Sequence, residues 1–444
     1  MEALTIRNRI LTVHGRTIAV HGPVNRGGHA GTLRTRPSVD KRYRMIVKLE
    51  VPVSPIDRWS LDPAAVHLNH GSYGGCLRSV TETAAAWRAK LEAAPMRFLV
   101  LDWQDEIDRA RAALAAFVGA PDSRLAFVPG TTTGLAIALS STFLTAGDEI
   151  LTTDHGYRAI ANQLARLAEL WGVHVVPIRI PVPYDADAFV SALERAVTPR
   201  TRLAVIDHIT SASALRLPIE RIVPLLRTRG IDTIVDGAHA PGQIELDLAA
   251  VDAAWYVGNC HKWLCAPKGS GFVVASERAA ARLRPIVTSH GASREYGPAN
   301  RFHAELDWPG THDPSVYLSV PEAITAVAAE GEGWTQVMAR NHALAIELRD
   351  RLIDQLRGNL VAGAPRYAPD DALGSMAAIP IALPPNTTPL TIQERLLRGG
   401  WEVAIADFAT GPCVRLSAHL YNHAAEADAL AAELRTLGVT LRPS

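Results

Sequence analysis

Lys262 stands in Gly258-Asn259-Cys260-His261-Lys262-Trp263-Leu264, among aromatic and apolar neighbours rather than in a run of charges. A desolvated lysine loses proton affinity, and its amine becomes nucleophilic near neutral pH. A lone Lys before Trp is otherwise a snorkelling surface residue, but the Gly-rich Ala266-Pro267-Lys268-Gly269-Ser270-Gly271 that follows shifts the balance. Upstream, Ile231-Asp-Thr-Ile-Val-Asp236-Gly-Ala-His239-Ala-Pro-Gly reads as an apolar strand ending in an acid and then a Gly turn. Ligands of open α/β sheets bind at the carboxyl ends of strands, although an acid there can also be a plain helix cap. In Phe127-Val128-Pro129-Gly130-Thr131-Thr132-Thr133-Gly134 a strand runs into a Gly-Thr turn that opens a helix, the pattern of an anion site or of a simple cap. Arg415, in Val414-Arg415-Leu416-Ser417-Ala418-His419, lies inside an otherwise apolar strand. It needs either an internal ion pair or a ligand carboxylate. Together the four pieces ask for a ligand with a phosphate, a group that condenses with lysine and a ring nitrogen that wants an acid. Pyridoxal phosphate meets all three demands and leaves Arg415 for an amino-acid carboxylate.

These residues must be held by alternating strands and helices. Helical periodicity marks 78–94 and 104–118, and apolar or β-branched runs recur at 124–128, 149–153, 173–178, 202–207, 231–235 and 271–275. Helical segments such as 157–170 and 185–197 lie between most of them, which predicts an α/β fold on a mostly parallel sheet. After about residue 320 the rhythm changes to a long helical stretch over 321–357, strands near 376–383, 401–406 and 412–417, and a last helix at 423–436. The reading is a large domain over 45–320, including an N-terminal segment 45–77, and a smaller α+β domain over 321–444. Residues 1–44 carry nine Lys/Arg against two acids and no apolar core of a secretory signal. They are expected to form a disordered basic leader, with a transit-like leader or a true start at Met45 as alternatives.

Lys+Arg and Asp+Glu are each 45 in 444 residues, which argues against a nucleic-acid backbone as partner. No apolar run approaches the ~18 residues of a membrane span. Four cysteines are too few for a disulfide scaffold, and Cys260 and Cys265 lack a second pair at zinc-site spacing. No metal is expected, and a cytoplasmic location is. Glycine-rich dinucleotide and P-loop motifs, H-E-x-x-H and the G-x-S-x-G elbow are all missing from the sequence.

The chain resembles the class V aminotransferase family of fold-type-I pyridoxal-phosphate enzymes, within it the isopenicillin N epimerase-like branch. The resemblance spans residues 66–435. It rests on His67-Leu68-Asn69-His70-Gly71-Ser72-Tyr73-Gly74, Ala94-Pro95-Met96-Arg97-Phe98, Gly130-Thr131-Thr132, Thr153-Asp154-His155, the stretch 235–242, His261-Lys262-Trp263-Leu264, Gly310-Thr311 and Arg415-Leu416-Ser417. It implies that Lys262 forms the Schiff base with the cofactor and shuttles the Cα proton, and that Asp236 pairs with the pyridine nitrogen. His239 would donate to the phenolic oxygen, and His155 would stack on the ring. Thr131, Thr132, Asn259 and His261 would bind the phosphate, and Thr311 would reach the phosphate of a neighbouring subunit in a homodimer. Arg415 would hold the α-carboxylate, with Asn69, His70 and Tyr73 at the substrate entrance.

The same resemblance implies chemistry at Cα of an amino acid. Epimerisation needs an acid/base group on each face, Lys262 on one and a residue such as Tyr73 on the other. Elimination of a Cβ–S bond, oxygen-dependent decarboxylation with deamination, and transamination would use the same residues. A role in secondary metabolism such as antibiotic biosynthesis is the expectation. Sulfur-transferring relatives carry a loop cysteine before the Arg; the window 380–395 has none, which disfavours a cysteine desulfurase. Gly156 stands where epimerase-like members often have an acid. A non-catalytic module that merely kept the fold is the alternative of a different class, and the presence of Lys262 speaks against it.

Overall fold

The computed structural model describes residues 11–13, 16–18, 54–293, 300–357, 366–408 and 411–442. The chain forms two compact units, Met1–Lys48 and Leu49–Ser444. In the first, β1 (Leu11–Val13) and β2 (Arg16–Ile18) pair antiparallel; the rest of the basic leader lies outside the described residues.

The second unit opens with β3 (Val66–His67), α1 (His70–Tyr73), α2 (Arg78–Ala93) and α3 (Trp103–Val118). Its main sheet is formed by β4 (Leu125–Val128), β5 (Glu149–Thr153), β6 (His174–Ile178), β7 (Thr201–Asp207), β8 (Asp232–Gly237), β9 (Trp255–Asn259) and β10 (Gly271–Ala275). They lie in the order β4-β10-β9-β8-β7-β5-β6. The pairs β5–β6, β5–β7, β7–β8 and β8–β9 are parallel, and β10 alone runs against its neighbours β4 and β9. The expected mostly parallel α/β sheet is present. β9 is the strand of this sheet that the sequence pattern does not pick out; Gly258 and Asn259 fill its last two positions and leave Trp255, Tyr256 and Val257 as its apolar residues.

Successive residues of the central strands enter two separate cores. Leu151, Ala204, Ile206, Val235 and Tyr256 face one, and Ile150, Leu203, Val205, Ile234 and Val257 face the other. A sheet covered on both faces buries every second side chain on each side, which is why these strands read as continuous apolar runs. Helices α4 (Thr131–Ser140) and α5 (Arg158–Trp171) follow β4 and β5. Asp207, Asp236 and Asn259 sit at the carboxyl ends of β7, β8 and β9, where such sheets bind ligands.

The helical stretch expected over 321–357 is two helices, α6 (Val320–Glu330) and α7 (Trp334–Arg357). Residues 331–333 break it, with Glu332 at φ 59° and Gly333 at φ 110°, and glycines on both sides of Glu332 make that turn cheap. Beyond lie β11 (Met376–Ala382), β12 (Trp401–Glu402), β13 (Ala404–Phe408), β14 (Gly411–Ser417), α8 (Ala425–Thr436) and β15 (Thr440–Leu441). β13-β14-β11-β15 form an antiparallel sheet. The N-terminal segment, expected with the large domain, sends β3 to pair with β12 and Leu68 into the core of this second sheet. A two-residue strand carries no periodicity from which that partner could be read.

Candidate active site

Lys262 follows β9 and projects its amine into a cavity of about 310 Å³ lined also by Gly130, Thr131, Thr132, Asp236, His239, Asn259 and His261. Burial lowers its pKa to about 8, against an opposing pull from Asp236. Lys262 Nζ lies 3.1 Å from His239 Nε2. Trp263 Nε1–H points at His239 Nδ1 across a long 3.5 Å, and burial drives the His239 pKa well down. A neutral ring that accepts at Nδ1 carries its hydrogen on Nε2, so beside a neutral Lys262 amine His239 presents a donor to the cavity.

Asp236 accepts from Ala238 N–H at 3.0 Å. Burial raises its pKa, and the Ala238 bond and the Lys262 charge oppose that rise. A second acid, Asp207, is its register partner on the neighbouring strand and lines the same cavity. Burial, then the charge of Asp236, pushes Asp207 well up. Asp207 is a site residue beyond those expected from the sequence, although it ends an apolar strand just as Asp236 does.

The opposite wall is the N-terminus of α4. Thr131 N–H donates to Asn259 Oδ1 at 2.9 Å, and Thr131 Oγ1 is buried without a hydrogen-bond partner. A buried hydroxyl left unpaired beside a helix N-terminus suits an incoming anion. His261 Nδ1 lies 2.9 Å from the Ser270 carbonyl and must donate to it, so Nε2 can donate to a phosphate only when the ring is protonated. Burial lowers the His261 pKa, and a phosphate dianion would raise it again.

Arg415 is 4% exposed. Its guanidinium donates to Ser211 O at 2.7 Å, Asn69 Oδ1 at 2.8 Å and Ser72 Oγ at 2.6 Å. Burial lowers its pKa to about 10, and Nε has no partner. Among the described residues no carboxylate pairs with it, which leaves the internal ion pair unsupported. Arg415 and Asn69 line a larger cavity of about 930 Å³ with Asp154, His155 and Ala404. The two cavities share Ser72, Tyr73, Tyr157 and Ser211. His155 is buried, with Nδ1 2.8 Å from Ser213 Oγ, and burial lowers its pKa. Tyr73 is 73% exposed at the shared mouth.

Two sequence candidates lie elsewhere. His70 is buried and lines neither cavity; it sits behind the Lys262 backbone. Thr311 is exposed and lines neither. Cysteine spacing also gave no hint that Cys265 meets His70 and His419, their ligand-type atoms lying within 4.8 Å of one another. The four cysteines are buried and none lines either cavity. Among the described residues no helix is long and apolar enough to cross a membrane.

The family model for aminotransferase class-V matches residues 86–430. Isopenicillin N epimerase of Streptomyces clavuligerus is 35% identical over 396 residues, covering 86% of this chain and 96% of that protein. A putative L-cysteine desulfhydrase 1 of Oryza sativa subsp. japonica is 30% identical over 336 residues, covering 72% of this chain and 67% of that one. A solved structure of a C-DES mutant with glycine covalently linked to its PLP cofactor superposes with a TM-score of 0.71 at 20% identity, covering 84% of this chain and 97% of that one. The fold is that of the fold-type-I pyridoxal-phosphate enzymes, and the cofactor is pyridoxal 5'-phosphate. The cavity fits it: a lysine amine, a buried acid, a ring donor and a phosphate cradle with an unpaired hydroxyl converge there.

Proposed function

Because the chain belongs to the aminotransferase class V family of pyridoxal-phosphate-dependent enzymes, we propose that it acts at Cα of an amino-acid substrate as an isopenicillin N epimerase-like enzyme. The observation that carries this reading is the buried Arg415, which among the described residues has no acidic partner and which lines the larger cavity while bonded to Ser72, a residue that lines both. A buried guanidinium is costly unless an anion completes it, and a substrate carboxylate is that anion.

Bound in the smaller cavity, the cofactor supplies an electron sink for the bond broken at Cα. Asp236 would hold the ring nitrogen, His239 Nε2–H the phenolic oxygen, and Thr131, Thr132, Asn259 and His261 the phosphate, while His155, which lines the adjoining larger cavity, would approach the ring from that side. Lys262 would be the amine that holds the cofactor and moves the Cα proton. Arg415 would hold the substrate carboxylate and so fix the orientation of the bonds at Cα. Tyr73 is the acid/base group we assign to the opposite face; inversion needs both. Asn69 orients Arg415 through its side-chain oxygen. The site is completed in a homodimer, with Thr311 reaching across to the neighbouring phosphate. Exposed Met96, Val100 and Leu101 support an apolar subunit contact.

The second reading is C–S lyase chemistry, favoured by the resemblance to the desulfhydrase-named relative. A desulfurase that takes sulfur onto its own thiol is disfavoured, since no cysteine lines either cavity. The test is to incubate the holoenzyme with L-amino acids, peptide-linked amino acids and S-substituted cysteines, and to assay D-product, pyruvate and ammonia. A D-product without pyruvate supports the epimerase. Pyruvate from an S-conjugate moves the assignment to the lyase. A colourless protein that takes up no cofactor and turns over nothing overturns both.

A further inference from the structure

The Lys262 carbonyl can only accept hydrogen bonds. It accepts from Cys265 N–H at 3.0 Å across its own turn, and His70 Nε2 lies 3.1 Å from it. Nε2 must therefore carry a hydrogen. Burial holds the His70 pKa at about 3, so the ring is neutral and Nδ1 bears the lone pair. Tyr421 Oη, 2.9 Å from Nδ1, is then the donor, and burial pushes that phenol well up, so it keeps its proton. One tautomer satisfies every partner. In that tautomer the Nδ1 lone pair is taken by Tyr421. The ring is also walled in, stacked on His419 at 4.0 Å and tilted against Trp263 at 5.1 Å.

The same short helix reaches the other anchor of the site. Asn69 and Ser72, on either side of His70, hold Arg415. Gly74 ends α1 against the lysine loop, where a Cβ would lie 1.9 Å from the His261 carbonyl. One motif thus grips the amine-bearing turn and the carboxylate-binding side chain.

We propose that His70, locked in its Nε2–H tautomer by Tyr421, is a positioning residue that fixes the Lys262 main chain and so the reach of its amine. This rests on Lys262 being the cofactor-binding amine. His70 touches neither substrate nor cofactor.

The test uses full-length protein freed of cofactor: wild type, His70→Ala, His70→Gln, Tyr421→Phe and Lys262→Ala. Pyridoxal 5'-phosphate is titrated by tryptophan fluorescence, its fixation on residue 262 is followed by borohydride trapping and mass spectrometry, and melting is measured alongside. His70→Ala is expected to weaken cofactor binding about tenfold and to slow trapping, the scale of one lost buried hydrogen bond. His70→Gln keeps an N–H donor and should return within about threefold of wild type. Tyr421→Phe should weaken binding less than His70→Ala, because the ring can then take the wrong tautomer. Equal melting losses in the Ala and Gln variants, with both binding cofactor like wild type, would overturn the proposal and leave His70 a packing residue. Should His70→Ala fail to fold, unchanged binding and trapping in Tyr421→Phe overturns it alone. Cofactor fixed equally well on Lys262→Ala would instead sink the assignment of Lys262 beneath it.

Discussion

An amine whose pKa is lowered to about 8 is about one-tenth free at pH 7 and half free at pH 8. The free amine is the competent form of Lys262, so raising the pH through this window increases the rate. Cofactor capture by the apoprotein should accordingly quicken about fivefold from pH 7 to pH 8, as stopped-flow absorbance would read. A rate flat over that interval would mean that the amine titrates elsewhere. At Arg415 the prediction concerns geometry as well as charge. Its donors are spread over Ser211, Asn69 and Ser72, a fork that a single ammonium cannot reproduce. Arg415→Lys should raise KM for the amino acid by at least about tenfold, the scale of a charge-assisted bond. Steady-state kinetics with cofactor in excess would check it, and an unchanged KM would place the carboxylate elsewhere.

At the scale of elements, the site exists because strand ends and one helix N-terminus are brought close together. α4 lies so near the sheet that a Cβ on Gly134 would stand 2.4 Å from Val257 Cγ1 and 3.2 Å from Val128 Cγ2. Gly134→Ala should push the helix off the sheet at a cost of about 1–3 kcal/mol. The expected outcome is a lower melting temperature together with weaker phosphate binding, read by calorimetry and by titration with inorganic phosphate. A stability loss without any change in phosphate affinity would separate the helix position from the anion site. The parallel pairing of β7 with β8 also sets Asp207 beside Asp236. Two buried carboxyls on neighbouring strands disfavour each other's ionisation, a coupling that neither strand shows alone.

For the whole molecule, the proposed dimer requires that each copy complete its neighbour's site. Thr311 lies outside both cavities of its own chain, as a residue that serves a neighbouring site would. Lys262→Ala and Thr311→Ala subunits, each impaired alone, should regain activity on mixing, up to about a quarter of the wild-type level, because one site of each mixed dimer is intact. No recovery despite exchange of subunits would confine Thr311 to its own chain. Leu101→Glu, at a residue 68% exposed, should shift sedimentation towards monomer.

The sequence by itself determined the chemistry-bearing residues and the class of sheet that carries them. Lys262, Asp236, the Gly130-Thr131 turn and Arg415 could be read because each departs from its surroundings: a lysine among aromatics, an acid closing an apolar run, a polar turn between strand and helix, an arginine inside a strand. Strand–helix alternation fixed the mostly parallel sheet, since continuous apolar runs need cover on both faces. Tertiary structure alone decided the partners. Cys265, His70, His419 and Tyr421 are scattered over more than 300 residues and meet only after folding, so no spacing rule could join them. The placement of His70 was beyond the sequence for the same reason. Its position in a motif marked it for the substrate entrance, but folding brings its ring behind the Lys262 carbonyl and out of both cavities.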